Sequence, residues 1–310
     1  MKNIKRAVVT GATGVVGYAL INELISRNIE TLVMTRKNGR IGKIPIHPLV
    51  SIKFCSLEEL SAFNVAEEKY DAFFHLGWSG TYGEERNDLK KQQLNIRYAL
   101  DAVELANRLG CKVFVGTGSQ AENGRLPYGE KVSSSSPENP ESAYGKAKLQ
   151  AGIESRKLCK SLGIKHCWCR ILSVYGPNDA SYTMVMSTLL KMLKGEDCCF
   201  TPAEQQWDYI FSEDVAKALL AIAESGIDGK IYPIGSGKTM LLKEYISKMA
   251  ETTGTKSKCK FGAIEYFPNQ PMYLCADISD LTKDTGFLPE TSFTDGIQKN
   301  VQHIKESNLV

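Results

Sequence analysis

Two side chains that could move a proton stand four positions apart in the segment ESAYGKAKLQAG, namely Tyr144 and Lys148. The segment has helical periodicity, and residues four apart on a helix lie on the same face. A tyrosine with an ordinary pKa near 10 exchanges its proton poorly at neutral pH, and a neighbouring ammonium group lowers that pKa by stabilising the phenolate. The pair therefore predicts acid–base chemistry at a hydroxyl or carbonyl group, although amphipathic helices without such a role contain the same spacing.

A third reactive group precedes Tyr144 by 25 residues. The stretch VFVGTGSQAENG has the pattern of a buried strand that ends in a loop of small and polar residues, and Ser119 stands in that loop. Packing alone does not require such an ending. We therefore expect the loop to present Ser119 to the reacting group, opposite Tyr144.

The segments that must position these residues alternate between strand and helix. Five apolar runs have the length of strands, and three longer stretches with helical period lie between them. The predicted strands are Ala7–Thr10, Thr31–Thr35, Asp71–Leu76, Lys112–Gly116 and His166–Leu172, and the predicted helices are Val15–Arg27, Leu89–Arg108 and Ser142–Leu162. Strands that are apolar on both faces and alternate with helices indicate an α/β fold with a doubly wound parallel sheet.

The segment VVTGATGVVGYAL places Gly11, Gly14 and Gly17 between the first predicted strand and the first predicted helix. In that context glycines permit a tight turn, close approach of a pyrophosphate and close helix packing, while the helix N-terminus offers N–H donors. The sequence therefore predicts a dinucleotide site of the Rossmann type.

The end of the second predicted strand bears on which dinucleotide binds. Sites that prefer NAD usually carry an acidic residue there for the ribose 2′-hydroxyl, whereas this chain has Thr35, Arg36 and Lys37. Two cations suit a 2′-phosphate, so we expect NADP(H) as the preferred cofactor and NAD(H) as the alternative. The alternative is that these residues form a solvated basic turn that has no role in cofactor binding.

The pattern changes after Pro177, where shorter elements are interrupted by Gly and Pro. We predict a dinucleotide-binding domain over residues 1–178, to which residues 215–235 return. The predicted substrate-binding lobe is smaller and consists of residues 179–214 and 236–310.

The composition excludes several other kinds of protein. The net charge of +3 is spread along the chain without a basic run, so no nucleic-acid partner is expected. The N-terminal segment lacks the apolar core of a signal peptide and no stretch approaches about 18 uninterrupted apolar residues, so we expect a cytoplasmic protein without a membrane partner. The nine cysteines are scattered and the four histidines lack ligand spacing, which predicts reduced thiols and no metal site.

Together these features resemble the extended short-chain dehydrogenase/reductase family, the group of nucleotide-sugar epimerases, dehydratases and 4-keto reductases. The resemblance spans essentially the whole chain and includes Asn95 in QQLNIRYAL, the strand end RILSVYGP and the segment WDYIFSEDVAKALLAI. It implies a Rossmann fold, a nucleotide-sugar substrate, and a homodimer that pairs through the helices at Leu89–Arg108 and Ser142–Leu162.

The resemblance also implies a role for each reactive side chain. Ser119 would hydrogen-bond the reacting sugar oxygen, Tyr144 would give or take its proton, and Lys148 would hold the nicotinamide ribose while lowering the tyrosine pKa. Hydride would then move between the nicotinamide and the sugar carbon that bears this oxygen. The expected cofactor contacts are Gly11, Thr13, Gly14, Val15, Val16, Gly17, Thr35, Arg36, Lys37, Ser56, Leu76, Gly77, Trp78, Asn95, Tyr144 and Lys148. The expected substrate contacts are Ser119, Gln120, Ser173 and Trp207.

The two residues after Ser119 bear on the reaction. Family members that eliminate water place an Asp-Glu pair directly after the catalytic hydroxyl, because elimination needs one carboxyl acid and one carboxylate base. This chain has Gln120 and Ala121, which can do no acid–base work. We therefore expect no 4,6-dehydratase activity, despite the Glu122 that follows.

Three positions depart from the family pattern. Trp207 stands where the family usually has an Arg for the substrate diphosphate, Ser173 stands in place of an Asn, and Ser56 replaces an adenine-side acid. Loss of bidentate phosphate donors lowers affinity for a diphosphate unless other cations compensate. The candidates for compensation are Lys191, Lys194 and Lys238.

Three functions are compatible with this sequence. A 4-keto reductase consumes NADPH and needs an exchangeable cofactor, whereas a 4-epimerase keeps one NAD tightly bound and oxidises and reduces the same sugar. A non-catalytic NADP(H)-binding sensor or scaffold is the third, and the retained Ser119, Tyr144 and Lys148 argue against it. The basic turn after the second strand favours reduction of a nucleotide-linked 4-keto-6-deoxy sugar, with the 4-epimerase as the alternative.

Overall fold

The computed structural model describes residues 4–37, 39–64, 68–307 and 309. The strands are β1 (Arg6–Thr10), β2 (Glu30–Thr35), β3 (Val50–Phe54), β4 (Ala72–His75), β5 (Val113–Ser119), β6 (Lys165–Ile171), β7 (Ser173–Tyr175), β8 (Cys198–Cys199), β9 (Gln206–Trp207), β10 (Tyr209–Phe211), β11 (Ile231–Ile234), β12 (Met240–Leu241), β13 (Cys259–Lys260) and β14 (Tyr273–Leu274). The α-helices are α1 (Val15–Ser26), α2 (Leu89–Arg108), α3 (Ala143–Leu162), α4 (Met184–Lys194), α5 (Ser212–Ser225), α6 (Leu242–Thr253), α7 (Ser279–Thr285) and α8 (Phe293–Glu306).

Seven strands form one parallel sheet in the order β11-β6-β5-β4-β1-β2-β3. Strands β4 and β5 are buried along their whole length, as expected for strands covered on both faces. The strand order reverses between β1 and β4, and the carboxyl ends of the strands at such a point form a crevice for a ligand. The doubly wound Rossmann fold predicted from the sequence is confirmed.

Helices cover both faces of this sheet. Helices α1 and α5 pack together on one face, where Leu20, Leu24 and Leu219 belong to one apolar core. Helices α2 and α3 pack together on the other face, with Val103 and Cys159 in a second core. Helices α1, α2 and α3 follow β1, β4 and β5 in the chain, so their N-termini lie on the side of the sheet where these strands end.

Strand β5 is longer than the apolar run that predicts it. It continues through Gly116 and Gly118, so Ser119 is the last strand residue rather than a loop residue. A Cβ at either glycine would lie 2.4 Å from an atom of the Trp168 side chain on β6. The strand continues through glycines because a large neighbouring side chain occupies the space that their side chains would need.

The remaining chain builds a smaller lobe from helices and short strands. Helices α4, α6 and α8 share an apolar core with Tyr175 and Phe211. Strand β8 pairs with β13, and β9 pairs with β12 and β14. Between these elements α5 and β11 join the main sheet, where β11 pairs with β6. The division into two domains at the boundaries given above stays a prediction.

The described ranges bear on the expectations about membranes, metals and disulfides. None of their helices combines the length and the hydropathy needed to cross a bilayer. Within the same ranges no three His, Cys, Asp or Glu side chains are grouped so that they could hold a metal ion. The nine cysteines are free thiols.

Candidate active site

The glycine-rich loop joins the end of β1 to the start of α1. A Cβ at Gly17 would lie 2.2 Å from the carbonyl oxygen of Gly11, and one at Gly11 would lie 2.6 Å from the amide nitrogen of Gly77. Close packing therefore requires glycine at both positions. Gly14, the N-cap of α1, differs because its Cβ would meet only the Gly11 carbonyl oxygen, at 3.7 Å. Packing gives no reason for a glycine there, and its bare backbone leaves room for a group at the positive end of the helix.

A cavity opens beside this loop at the carboxyl ends of β1, β2 and β4. Its described lining residues are Gly11, Met34, Thr35, Arg36, Cys55, Ser56, Leu57, Glu58, Gly77, Trp78, Ser79 and Tyr98. The predicted cofactor residues among them are Gly11, Thr35, Arg36, Ser56, Gly77 and Trp78. Thr13, Val15 and Val16 lie in the same loop and the first turn of α1, Leu76 lies between β4 and Gly77, and Lys37 is exposed after β2.

The residues of this cavity fit a dinucleotide. Arg36 places an exposed guanidinium at the end of β2 within the lining, and in the adjoining loop Gly14 forms the N-cap of α1 without a side chain. The sequence reasoning missed Glu58, a carboxylate in the same lining. Ser56 begins a short 3-10 turn, and its backbone N–H donates to the Glu59 carboxylate at 2.6 Å.

Asn95 holds the loop that follows β4. Its side-chain oxygen accepts from the Ser79 backbone N–H at 2.9 Å, and its side-chain nitrogen donates to the carbonyl oxygens of Ser79 and Lys91. Asn95 is fully buried. It therefore fixes a loop that lines the cofactor cavity, and its direct contact with a cofactor stays a prediction.

Helix α3 carries Tyr144 to the end of β5. Its N-cap is Ser142, and a Cβ at Gly145 would lie 2.3 Å from the carbonyl oxygen of Ala121. This close contact presses the first turn of α3 against the turn that follows β5. As a result the Ser119 side chain lies close enough to Tyr144 to lower the pKa of its phenol.

Lys148 lies one helical turn further along α3 and is buried. Its Nζ donates to the carbonyl oxygen of Thr117 at 2.6 Å and lies 3.8 Å from the centroid of the Trp78 ring and 5.9 Å from that of Tyr144. Burial lowers the pKa of Lys148 to about 7, and the negative charge of Glu122 opposes that change. The structure thus brings together the three reactive side chains predicted from the sequence.

The sequence reasoning missed Arg86, which lies over Tyr144. The guanidinium carbon is 4.3 Å from the centroid of the tyrosine ring. Burial raises the pKa of Tyr144, while the nearby Ser119 hydroxyl and the charge of Arg86 lower it. Arg86 stands in a polar segment after β4 that has no motif, so only its position in space distinguishes it.

Of the three residues that follow Ser119, two face a cavity and the third is buried in the protein. Gln120 and Ala121 line a cavity of about 510 Å³, and the Gln120 side-chain oxygen accepts a hydrogen bond from the Ser119 hydroxyl at 3.3 Å. The Glu122 carboxylate is instead fully buried and accepts from Arg170 Nε at 2.7 Å. The carboxylate nearest in sequence to Ser119 is therefore turned into the protein.

A larger cavity of about 790 Å³ lies between the main sheet and the smaller lobe. The described linings of the two cavities share Arg86, Trp207 and Gln270, so the cavities meet at Arg86, whose guanidinium lies over the Tyr144 ring. The larger one is rich in aromatic side chains. Two of these, Tyr82 and Tyr182, are stacked with ring centroids 3.7 Å apart.

The two departures Trp207 and Ser173 contact each other. Trp207 Nε1 donates to the Ser173 hydroxyl at 2.7 Å, and both residues line the larger cavity. Among the described residues of that lining, Arg86 is the one cation. The three lysines considered as compensating cations are exposed and belong to the described lining of neither cavity.

The fold and the glycine-rich loop define a doubly wound dinucleotide-binding protein. The model of the family described as "NAD dependent epimerase/dehydratase family" matches residues 7–235, and the chain belongs to this family. The family resemblance inferred from the sequence is confirmed.

Relatives match along nearly the whole chain. CDP-abequose synthase of Salmonella muenchen is 25% identical over 303 residues, covering 95% of this chain and 96% of that protein. The dTDP-4-dehydro-6-deoxyglucose reductase of Escherichia coli is 24% identical over 315 residues, covering 96% and 97%. Members of this kind are NAD-dependent enzymes of nucleotide sugars.

Solved structures share the same fold. UDP-glucose 4-epimerase of Thermotoga maritima, solved with UDP-glucose, matches with a TM-score of 0.87 and 21% identity over 98% of this chain and 99% of that one. UDP-glucose 4-epimerase of Thermus thermophilus, solved with NAD, matches with a TM-score of 0.83 and 22% identity over 97% and 99%.

Proposed function

We propose that this protein is an NADPH-dependent reductase of a nucleotide-linked 4-keto-6-deoxy sugar. The observation that carries the proposal is that Ser119 and Lys148 both lie close to Tyr144, next to Gln120 and Ala121 in the cavity wall. Such a set can transfer a proton to one oxygen while the carbon that bears it accepts hydride.

In the proposed reaction Tyr144 donates its phenolic proton to the C4 oxygen of the sugar. When bound, the reduced nicotinamide supplies the hydride that C4 accepts, so the carbonyl becomes a secondary alcohol. Ser119 donates a hydrogen bond to the same oxygen and orients the carbonyl. The charges of Lys148 and Arg86 stabilise the phenolate left on Tyr144, which regains a proton before the next turnover.

The surroundings of Ser119 support a reaction at one carbon without elimination of water. Elimination needs a carboxyl acid and a carboxylate base at the substrate. Gln120 and Ala121 bring neither, and the Glu122 carboxylate is buried against Arg170. We therefore infer that the protein has no 4,6-dehydratase activity.

The two joined cavities support a nucleotide-linked sugar as the substrate. We place the nucleotide in the larger cavity and the sugar at the junction beside Tyr144, where Arg86 can meet the diphosphate in place of the arginine that Trp207 replaces. The relatives named as a dTDP-4-dehydro-6-deoxyglucose reductase and a CDP-abequose synthase favour a sugar of this class.

The end of β2 supports NADP(H) as the cofactor. Arg36 lines the cofactor cavity, and Thr35 occupies the position at which NAD-preferring sites usually have an acid. Arg36→Ala should weaken NADPH binding by about tenfold or more, since a charged hydrogen bond contributes roughly 1.5–3 kcal/mol, and should leave NADH binding unchanged. Tighter binding of NADH by the wild-type protein, unaffected by this substitution, would overturn the assignment.

We also propose a homodimer through α2 and α3. Leu89 and Leu94 are exposed on α2, although each is large and apolar. Light scattering of the purified protein tests this proposal, and a monomeric mass contradicts it.

The direct test of the function follows NADPH consumption with nucleotide-linked 4-keto-6-deoxy sugars of several bases. Tyr144→Phe should reduce turnover by about 10²–10⁴-fold without weakening NADPH binding, because only the transferable proton is removed. Tightly bound NAD that copurifies, with interconversion of 4-epimers in the absence of added NADPH, would instead establish the epimerase. An unchanged cellular function of the Tyr144→Phe variant would establish a non-catalytic role.

A further inference from the structure

A carboxylate is buried directly beneath Ser119 and has no part in the proposed proton transfer. Glu122 is 0% exposed. Its carboxylate accepts hydrogen bonds from the Ser119 backbone N–H at 2.8 Å, from Trp168 Nε1 at 3.1 Å and from Arg170 Nε at 2.7 Å. It therefore ties the end of β5 to the neighbouring strand β6.

The surrounding chain is shaped around this carboxylate. A Cβ at Gly118 would lie 2.2 Å from Glu122 Oε1, and one at Gly152 on α3 would lie 2.8 Å from the Trp168 ring. Glycines on two elements thus make room for the glutamate and the tryptophan that holds it. A buried ion pair is weak support for stability, because desolvation offsets most of the attraction, so stability alone does not account for this arrangement.

The charge of Glu122 reaches the two residues of α3 that the proposed reaction uses. It raises the pKa of Lys148, which burial lowers, and it adds to the effect of burial in raising the pKa of Tyr144. The other titratable or charged groups facing the pair are His75 on β4 and Arg86. Burial lowers the pKa of His75 to about 3, so that ring is neutral, and Glu122 is the anion that acts on Lys148.

We propose that Glu122 is a positioning residue for the reduction: its carboxylate fixes the Ser119 backbone at the end of β5 and supplies the buried negative charge behind the Tyr144–Lys148 pair. This inference rests on the proposed function for its catalytic meaning. In that reaction the charged lysine stabilises the tyrosine phenolate, so turnover falls as Lys148 loses its proton with rising pH.

The test compares Glu122→Gln with Glu138→Gln. Glu138 is the other carboxylate bound to Arg170, and its side chain is 36% exposed. Both substitutions remove an anion from Arg170, but only the first removes the charge that acts on Lys148. In Glu122→Gln the alkaline limb of the kcat profile should move down by about one pH unit or more, with roughly tenfold lower kcat above neutral pH and an unchanged KM for NADPH. In Glu138→Gln the limb should stay in place.

A second measurement separates this inference from the proposed function. The pKa of Lys148 is read by ¹³C NMR of lysine-labelled, cofactor-free protein, with the signal assigned by its loss in Lys148→Arg. Glu122→Gln should lower this pKa and Glu138→Gln should not, whether or not the protein reduces a 4-keto sugar. An equal effect of the two variants, or no effect of either, overturns the role of Glu122.

The variant Glu122→Asp covers the case in which Glu122→Gln does not fold. It keeps the charge but shortens the side chain, so it should retain the pH position of the alkaline limb while lowering kcat, because the Ser119 N–H loses its acceptor. Wild-type kcat in Glu122→Asp overturns the positioning of Ser119, and a limb moved to lower pH overturns the electrostatic role.

Discussion

Replacing Lys148 with Met should abolish turnover and, below neutral pH, stabilise the fold. The difference between the ordinary lysine pKa of 10.5 and the value of about 7 for Lys148 corresponds to about 5 kcal/mol of destabilisation when the group is charged. The hydrogen bond to the Thr117 carbonyl returns roughly 1.5–3 kcal/mol and the contact with the Trp78 ring roughly 0.5–2 kcal/mol. Because Met fills a similar volume without a charge, the free energy of unfolding at pH 6 should rise by about 0–3 kcal/mol.

The lowered pKa of Lys148 also predicts how the difference in unfolding free energy between the wild type and Lys148→Met changes with pH. The pKa of Lys148 is lower in the folded protein than in the unfolded chain, so the penalty is complete below about pH 7 and disappears as the pH rises towards 10.5. Relative to Lys148→Met, the wild-type protein should therefore gain about 3 kcal/mol between pH 6 and pH 9. Urea unfolding of the cofactor-free proteins at the two pH values measures this change.

The matched control is Lys146→Met, an exposed position on the same helix. It should alter the free energy of unfolding by less than about 0.5 kcal/mol at either pH. If the difference between wild type and Lys148→Met is the same at pH 6 and pH 9, Lys148 does not titrate near neutrality and the electrostatic account of the site is wrong.

Three further predictions concern the two binding regions. Gly14→Ala should weaken dinucleotide binding while changing the free energy of unfolding by less than about 1 kcal/mol, whereas Gly17→Ala should also destabilise the fold, as denaturation and cofactor titration will show. Arg86→Gln should weaken binding of a nucleoside diphosphate by about tenfold or more, as measured by calorimetry. The control Arg125→Gln should not, because Arg125 lines the cavity of about 510 Å³ and is absent from the described lining of the larger one. Burial raises the pKa of Asp179 to about 6, so Asp179→Asn should stabilise the protein by up to about 3 kcal/mol at pH 8, where the wild-type carboxylate is charged, and by little at pH 3.5.

Most of the main sheet was predictable from the sequence because its signals are local. The apolar runs of β1, β2 and β4 and the helical period of α2 need no knowledge of distant residues, and the predicted bounds of α2, Leu89–Arg108, agree with the structure. Strand β3 was missed. It lies at the edge of the sheet and alternates partly buried with exposed residues, so VSIKF carries no apolar run.

The proximity of the three candidate reactive residues was predictable from the sequence, whereas their surroundings were not. Tyr144 and Lys148 share a helix face, so their spacing is a local signal, and the proximity of Ser119 follows from parallel strands that end at one edge. Arg86 and Glu122 lie within polar segments that have no motif. Their importance depends on which side chains approach them from β6 and α3, and this is a property of packing.

By itself, the sequence determined a doubly wound fold, a dinucleotide loop and a Ser-Tyr-Lys set without the acid pair of a dehydratase, because periodicity, glycine spacing and residue type are written along the chain. Only the tertiary structure decided that β5 continues to Ser119 beneath Trp168, that the Glu122 carboxylate is turned inward against Arg170, and that Arg86 lies over Tyr144. These contacts join residues far apart in sequence, and burial sets the charge state of Lys148, so no local pattern could specify them.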